Sequence, residues 1–146
     1  MDAIELLIQD HRKVDQLFEQ IQKEKEPSKK GQTFQQINQE LTLHSELEET
    51  YFYPAVKDAQ STHEIVVESE HEHKTVETVL HDLEKLTAGS EDFEAKLKFL
   101  IDDVKHHVKE EEGELFPKAK EILGEPKLED LGAKMEEHKM AKVGKK

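Results

Sequence analysis

Apolar residues recur along most of the chain at intervals of three and four, which is the period of an α-helix with one buried face. A first helix is predicted from about Asp2 to Glu26, where Pro27 stops it, with the apolar stripe Ile4, Leu7, Ile8, Val14, Leu17, Phe18 and Ile21. The same period predicts three more long helices over about 33–59, 62–87 and 90–123, and a shorter one over about 128–142. Residues 28–31 are expected to form a linker.

The connections between these helices are short, and no stretch shows the alternation typical of a β-strand. Four long helices joined by short loops favour an antiparallel up-down-up-down bundle. The predicted fold class is therefore all-α, with residues 1–123 forming a four-helix bundle. Residues 124–146 are expected to form a short C-terminal extension, either a short helix or a solvated tail with a locally basic end that includes Lys145 and Lys146.

A doubled pattern runs through the two halves of the chain. His44-x-x-x-Glu48-x5-Pro54 in the first half returns as His107-x-x-x-Glu111-x5-Pro117 in the second. A lone histidine precedes each copy, 33 residues before His44 and 34 before His107; these are His11 and His73. Each half is therefore expected to be one helical hairpin, with Pro54 kinking its helix or changing its hydrogen bonding.

Each of the four main helices places a histidine of this pattern on its apolar stripe, and two of them add a glutamate there. A buried carboxylate is costly unless it is paired or protonated, and a divalent metal ion removes that cost. A single buried histidine is more often a satisfied core residue than a ligand, but a doubled register on four helices favours a metal site. The predicted ligands are His11, His44, Glu48, His73, His107 and Glu111.

Two half-sites of this kind suggest a dinuclear centre with open coordination positions. Four imidazoles and two carboxylates without sulfur suit iron, and less selectively manganese, zinc or copper. Hydroxide, oxide, dioxygen or peroxide could occupy the open positions. The repeat register favours His107 over the adjacent His106, while His81 could support the centre from outside. Tyr51 and Tyr53 could either hydrogen-bond near it or pack in the core.

The remaining composition restricts the class of protein. The chain has 146 residues, no cysteine and a net charge of −13, which opposes nucleic acid or anionic membranes as partners. Thiolate sites, disulfides and cysteine nucleophiles are excluded. The N-terminus does not resemble a signal peptide and no apolar run approaches the length of a membrane span, so a cytoplasmic protein is expected.

The doubled pattern resembles that of the hemerythrin-like, or HHE cation-binding, family. The segments that carry the resemblance are QDHRKVDQLF, HSELEETYFYP, EHEHKTVETVL and HVKEEEGELFP, and it covers about residues 1–123. The resemblance implies a four-helix bundle that holds a non-haem di-iron centre bridged by carboxylates and an oxygen atom. It also implies that Glu48 and Glu111 bridge the two ions and that the histidines are terminal ligands.

The sequence departs from the oxygen-carrying members of that family at one position. Where they have a second histidine one turn after the third-helix ligand, this chain has Glu77. Glu77 is a candidate seventh metal ligand, with a hydrogen-bond acceptor outside the ligands or a solvated side chain as alternatives. An anionic ligand would favour the oxidised metal, which argues against reversible oxygen carriage.

The leading functional hypothesis is a di-iron protein that binds or reacts with dioxygen, peroxide or nitric oxide in a sensing or protective role. The alternatives are an enzyme that decomposes peroxide or oxidises ferrous iron, and a zinc-holding interaction module. Manganese is a further candidate metal. No catalytic residue and no protein partner is assigned from the sequence.

Overall fold

The computed structural model describes residues 1–143, so Lys145 and Lys146 of the basic C-terminal stretch lie outside the described residues. Its helical segments follow one another with short connections and with no β-strand among the described residues. The six α-helical segments are α1 (Ala3–Lys23), α2 (Pro27–Leu47), α3 (Tyr53–Val56), α4 (His63–Glu84), α5 (Glu91–Glu110) and α6 (Phe116–Val143). Two short segments of wider, π-helical hydrogen bonding are inserted between them, Glu48–Phe52 and Glu111–Leu115.

Local sequence signals explain where the first two helices begin. The Asp2 side chain caps α1 by accepting a hydrogen bond of 2.9 Å from the backbone N–H of Glu5. The predicted linker over 28–31 is wrong, because α2 already begins at Pro27. Proline fits the first position of a helix, where its missing N–H would have no partner. The three residues between Lys23 and Pro27 are therefore enough to reverse the chain.

The two π segments link helices into longer continuous rods. The N–H of Tyr53 donates to the carbonyl of Glu48, and the N–H of Phe116 donates to that of Glu111, in each case five residues back. Pro54 and Pro117 follow directly, and the wider turn is a way to accommodate a ring that would crowd the carbonyl four residues earlier. The hydrogen bonding thus changes just before Pro54, one of the two outcomes expected there.

The molecule is a four-helix bundle of two hairpins, as the periodicity predicts. One hairpin pairs α1 with the rod that starts as α2, and the other pairs α4 with the rod that starts as α5. The buried apolar side chains form two separate clusters along the bundle. One contains Val14, Leu41, Val76 and Val104, and the other contains Leu7, Leu47, Val66 and Leu115.

The C-terminal segment continues the last rod and then turns back onto the bundle. Gly124 breaks the helical path of α6 with a φ of 75°, a value that glycine adopts without strain. The helix beyond it buries three apolar residues in the second cluster, Leu128, Leu131 and Met135. Lys139 also pairs with the buried Asp10 of α1. The extension is therefore a helix packed on the bundle and not a solvated tail over the described residues. Among these residues, none of the helices has the length and apolar character that a bilayer crossing requires.

Candidate metal centre

A buried polar layer lies between the two apolar clusters. On every main rod the histidine of the doubled pattern separates the residues of one cluster from those of the other. The six residues of this layer are all buried, and they are His11, His44, Glu48, His73, His107 and Glu111. The bundle thus brings together the six predicted ligands on the four main rods, between two apolar clusters.

The layer divides into two groups of possible ligands that share Glu111. In the first group, His11, His44 and Glu111 each offer an atom within 4.8 Å of the others. Here His11 Nε2 lies 3.1 Å from Glu111 Oε1, and His44 Nε2 lies 3.3 Å from Glu48 Oε1. Glu111 thus reaches across from the second hairpin, and Glu48, which belongs to the second group, lies one turn after His44 on the same rod.

The second group contains Glu48, His73, His107 and Glu111. His73 Nε2 lies 3.0 Å from Glu48 Oε1, and His107 Nε2 lies 3.1 Å from Glu111 Oε2. Glu48 and Glu111 therefore each face histidines of both hairpins. A carboxylate in this position can bind two ions at once, one through each oxygen.

The atoms at the centre of the layer fit a bound cation better than they fit one another. His11 Nε2, His44 Nε2, His107 Nε2, Glu48 Oε2 and Glu111 Oε1 are fully buried and make no hydrogen bond. Buried polar atoms without partners are rare because each costs about 1–3 kcal/mol. Imidazole nitrogens and carboxylate oxygens that converge in a buried layer are typical ligands of divalent transition metals. The residues therefore fit a metal ion in each group.

Each of these histidines also faces a carboxylate on the side away from the centre. The Nδ1 atoms of His11, His44 and His107 lie 2.7, 3.1 and 2.7 Å from Glu112, Asp10 and Glu72, respectively. His73 Nδ1 lies 3.6 Å from Glu49, which is beyond hydrogen-bonding distance. A carboxylate that accepts from Nδ1–H fixes the tautomer in which Nε2 is free to bind metal.

These outer carboxylates repeat in the sequence as the inner ligands do. Asp10 and Glu72 directly precede the lone histidines, and Glu49 and Glu112 directly follow the inner glutamates. The sequence analysis did not identify these four acids. The doubled pattern could have identified them, because an acidic residue directly precedes both His11 and His73 and directly follows both Glu48 and Glu111.

The charges of the layer depend strongly on one another. Burial by itself lowers the pKa of His44, but Glu48 and the hydrogen bond to Asp10 outweigh it and raise that pKa to about 10. Burial also disfavours the charged form of His107. The nearby Glu111 carboxylate favours that form more strongly, so the pKa of His107 is raised well above its ordinary value. Burial raises the pKa of Glu48, whereas the charge of His44 lowers it. The lowering effects are larger, so the pKa of Glu48 lies well below its usual range. The buried histidines and glutamates thus favour one another's charged forms.

Tyr53 adds a hydroxyl to the second group of ligands. Its side chain is fully buried, and its hydroxyl donates to Glu111 Oε2 at 2.7 Å and lies 3.2 Å from both Glu48 Oε1 and His73 Nε2. Burial and the Glu111 charge raise its pKa well above the ordinary value, so the phenol stays neutral. Its counterpart in the repeat is Phe116, which stacks on His11 with ring centroids 5.9 Å apart. Both alternatives expected for Tyr53 therefore hold: its ring packs in the second apolar cluster, and its hydroxyl contacts the second group of ligands.

The structure does not bring Glu77 into the centre. Its side chain is exposed on α4 and lines a surface groove with His81, while Val76 and Leu80 take the buried positions on that part of the helix. The expectation of a seventh ligand at Glu77 is therefore corrected to the solvated alternative, because the inward face of α4 is filled by these two apolar residues. His106 is also exposed, whereas its neighbour His107 is buried.

The chain resembles known proteins in sequence and in fold. The sequence model of the hemerythrin HHE cation-binding domain matches residues 2–119. The crystal structure of a hemerythrin HHE cation-binding domain-containing protein from Mycobacterium kansasii superposes with a TM-score of 0.83 and 23% identity, covering 94% of this chain and 85% of that one. A DNA nickase from Nostoc sp. is 28% identical over 135 residues, which are 88% of this chain but 36% of the nickase. The chain thus spans about a third of the length of that relative.

Proposed function

Since the chain belongs to the hemerythrin HHE cation-binding domain family, we propose that it is a non-haem di-iron protein whose centre binds or reacts with dioxygen, peroxide or nitric oxide. The observation that carries this proposal is the pair of buried ligand groups that share Glu111. Four imidazoles and two carboxylates suit iron, and two ions of charge +2 would compensate both buried carboxylates. The proposed role is sensing or protection; Glu77 is exposed and adds no anionic ligand, so it no longer argues against reversible oxygen carriage.

The residues around the centre contribute binding, orientation and exclusion of water. Three of the outer carboxylates hold the rings of His11, His44 and His107 with Nε2 toward the centre. The apolar clusters on both sides keep the layer dry, which strengthens every electrostatic interaction inside it. When bound, a pair of ferrous ions would supply electrons to dioxygen or peroxide.

The proposal is tested by the metal content and the optical response of the protein. Metal-free protein is titrated with Fe(II) under anaerobic conditions and then exposed to dioxygen, peroxide or nitric oxide in separate experiments. We expect two ions per chain and new near-ultraviolet or visible bands with at least one of the three ligands. Failure to bind iron, or iron that gives no optical change with any ligand, would contradict the proposal, and zinc in protein from its native host would favour the interaction module.

A matched pair of variants connects the result to the centre. His107→Ala removes a buried ligand, whereas His106→Ala removes the neighbouring exposed imidazole. We expect the first variant to lose bound iron and the second to keep the stoichiometry of the wild type. Equal stoichiometry in both variants would show that iron binds elsewhere.

Peroxide decomposition is a second candidate that Tyr53 favours. Conversion of two peroxide molecules to water and dioxygen requires protons to move, and the neutral phenol holds a proton 2.7 Å from Glu111 Oε2. The iron-loaded protein would then release dioxygen from peroxide over many turnovers, and the activity would be lost in His44→Ala or Glu111→Ala. One optical change per chain without sustained dioxygen release would reject this candidate.

Cleavage of DNA, which the name of the Nostoc relative describes, is not part of the proposal. This chain carries a net charge of −13, which repels a phosphate backbone. The proposed partners are therefore small ligands of the metal centre.

A further inference from the structure

A groove of about 840 Å³ runs along the surface between α2 and α4 and ends at the buried layer. We call it the α2–α4 groove. Its floor includes Leu41, Val76 and Leu80, its inner end is formed by Glu49 and His73, and five acidic residues line it in all. These acids are Glu46, Glu49, Glu77, Asp82 and Glu84, and Lys74 also lines the groove. Lys96 pairs with Asp82 at 2.8 Å and Lys142 lies 3.7 Å from Glu46. Among the described residues, no lysine or arginine lies within 4.0 Å of the other three acids, which supply the unpaired negative charge of the groove.

The corresponding place in the other half of the repeat is closed by an ion pair. Arg12 donates to both carboxylate oxygens of Glu112, at 3.2 and 2.8 Å, and this pair covers His11. The equivalent residues beside the groove are Lys74 and Glu49. Within residues 1–143, Glu49 has no lysine or arginine within 4.0 Å, and its side chain is half exposed. The two ends of the centre thus differ in how firmly their outer carboxylate is held.

The histidine at the inner end of the groove also differs from the other three. His73 is 93% buried, since 7% of it is exposed, yet its Nδ1 has no hydrogen-bond partner. The nearest carboxylate is Glu49, with Oε2 at 3.6 Å. A buried and unpartnered nitrogen beside a half-exposed carboxylate offers a divalent cation a pair of ligands between solvent and the centre.

We propose that divalent metal ions reach the centre through the α2–α4 groove and that Glu49 and His73 receive them at its inner end. The acidic lining raises the local concentration of cations, because a cleft with one sign of charge focuses its field. The other acids of the lining attract the ion, and Glu49 and His73 are the carboxylate and the imidazole of the lining that adjoin the buried layer. This inference rests on the proposed metal centre and concerns the rate of loading, whereas the centre itself is tested by the amount bound.

The first experiment obstructs the groove without changing its charge. Thr78 lines the groove, whereas Thr75 lies one turn earlier on α4 and is not part of the lining. Both are exposed, and both hydroxyls donate to the carbonyl four residues back, so they form a matched pair. Uptake of Co²⁺ by the metal-free full chain is followed by the change in cobalt absorption on mixing. We expect Thr78→Trp to slow uptake several-fold and Thr75→Trp to match the wild type, with the same final occupancy in all three.

The second experiment removes charge at the inner end. Glu49→Gln keeps the size of the side chain, and Glu68→Gln is its control on an exposed part of α4 outside the groove. We expect Glu49→Gln to slow uptake about tenfold at low salt and to weaken the salt dependence of the rate, because electrostatic steering is screened by ions. Glu68→Gln should leave the uptake rate and its salt dependence unchanged.

The outcomes separate the route from the centre. Equal uptake rates in wild type, Thr78→Trp and Glu49→Gln, with full occupancy at equilibrium, would overturn the groove as the route and leave the metal centre intact. No cobalt bound at equilibrium by the wild type would overturn the proposed function and this inference with it.

Discussion

At the scale of single residues, Tyr53 and Phe116 occupy equivalent places in the two hairpins and differ by one hydroxyl. The hydroxyl of Tyr53 satisfies Glu111 Oε2 in the buried layer, whereas Phe116 only packs against the ring of His11. The two groups of ligands are therefore chemically different, although the sequence repeat makes them look alike. The Tyr53 hydroxyl and the inner end of the α2–α4 groove both lie beside the group that contains His73.

Replacement of Tyr53 by phenylalanine tests the role of that hydroxyl. In the metal-free protein, Tyr53→Phe leaves a buried carboxylate oxygen without its donor, and we expect a loss of about 1–3 kcal/mol in the free energy of unfolding. Bound metal satisfies the same carboxylate, so the loss should be smaller in the loaded protein. Urea unfolding of both forms measures this difference. Tyr51→Phe is the control, since the Tyr51 hydroxyl lies near His138 at 3.2 Å; equal losses in the two forms of Tyr53→Phe would contradict the interpretation.

The raised histidine pKa values predict that metal binding releases protons. His44, with a pKa of about 10, is protonated at neutral pH in the metal-free fold, and a metal ion requires the neutral ring. We therefore expect proton release on binding and an apparent affinity that increases as pH rises toward about 10. Calorimetric titration in buffers of different ionisation enthalpy measures the number of protons. Binding heats that do not depend on the buffer would show that the histidines are already neutral.

The same shifts determine how the stability of the metal-free fold depends on pH. The folded pKa of His44 lies above its ordinary value of 6.5, so its contribution is complete below 6.5 and is lost as pH rises through about 10. The folded pKa of Glu48 lies below its ordinary value of 4.5, so its contribution is present above 4.5 and is lost as pH falls below it. Both contributions are complete only between pH 4.5 and 6.5, so we expect the metal-free protein to be most stable in this range. Thermal unfolding measured across pH tests this expectation.

At the scale of helices, the two π segments and the C-terminal helix position the site. Each π segment begins at one of the two buried glutamates, Glu48 or Glu111, and ends just before Tyr53 or Phe116. The wider turn lets residues on both sides of it face the layer, which a straight α-helix would rotate apart. The C-terminal helix then crosses the start of α1, where Gly132 packs against the backbone of Met1, Asp2 and Ala3.

This crossing predicts opposite effects for two glycine substitutions. A Cβ at Gly132 would lie 2.7 Å from the carbonyl carbon of Asp2 and 2.9 Å from the nitrogen of Ala3, so backbone atoms must move. We expect Gly132→Ala to destabilise the protein by about 1–3 kcal/mol. Gly113→Ala is the control: a Cβ there meets nothing within 4 Å, and alanine should stabilise the helix by about 0.5–1 kcal/mol. Thermal unfolding compares both with the wild type, and a neutral Gly132→Ala would show that the crossing is loose.

At the scale of the whole molecule, the C-terminal helix closes the end of the bundle beneath the buried layer. Met135 is fully buried in the second apolar cluster, whereas Met140 is 74% exposed. Lys139 pairs with Asp10, which in turn accepts from His44, so the extension reaches the surroundings of the ligands. The division into residues 1–123 and 124–146 stays a prediction, but the two parts share one core over the described residues.

Substitution of the two methionines tests this closure. We expect Met135→Ala to lower the free energy of unfolding by about 2–5 kcal/mol, because it leaves a cavity in the core. Met140→Ala should change it by less than about 0.5 kcal/mol. Urea unfolding of the metal-free protein measures both, and similar values for the two variants would show that the extension packs only weakly.

The sequence alone determined the helices, the bundle and the six residues that meet in its centre. Spacings of three and four place His11, His44, His73 and His107 on inward stripes, and such stripes can only converge in a bundle. Their role as metal ligands stays a prediction that the geometry supports. The sequence also placed Glu77 among the candidates, since one turn separates it from His73.

Only the tertiary structure decided what lies opposite each of these residues. Periodicity identifies the buried face of a helix, but not the atoms of the neighbouring helix that fill the space beside it. Contacts between hairpins therefore became visible only after folding: Glu112 on His11, the Tyr53 hydroxyl on Glu111, and the groove that exposes Glu77. The physical reason is that these contacts depend on helix rotation and separation, which the packing of the whole bundle sets.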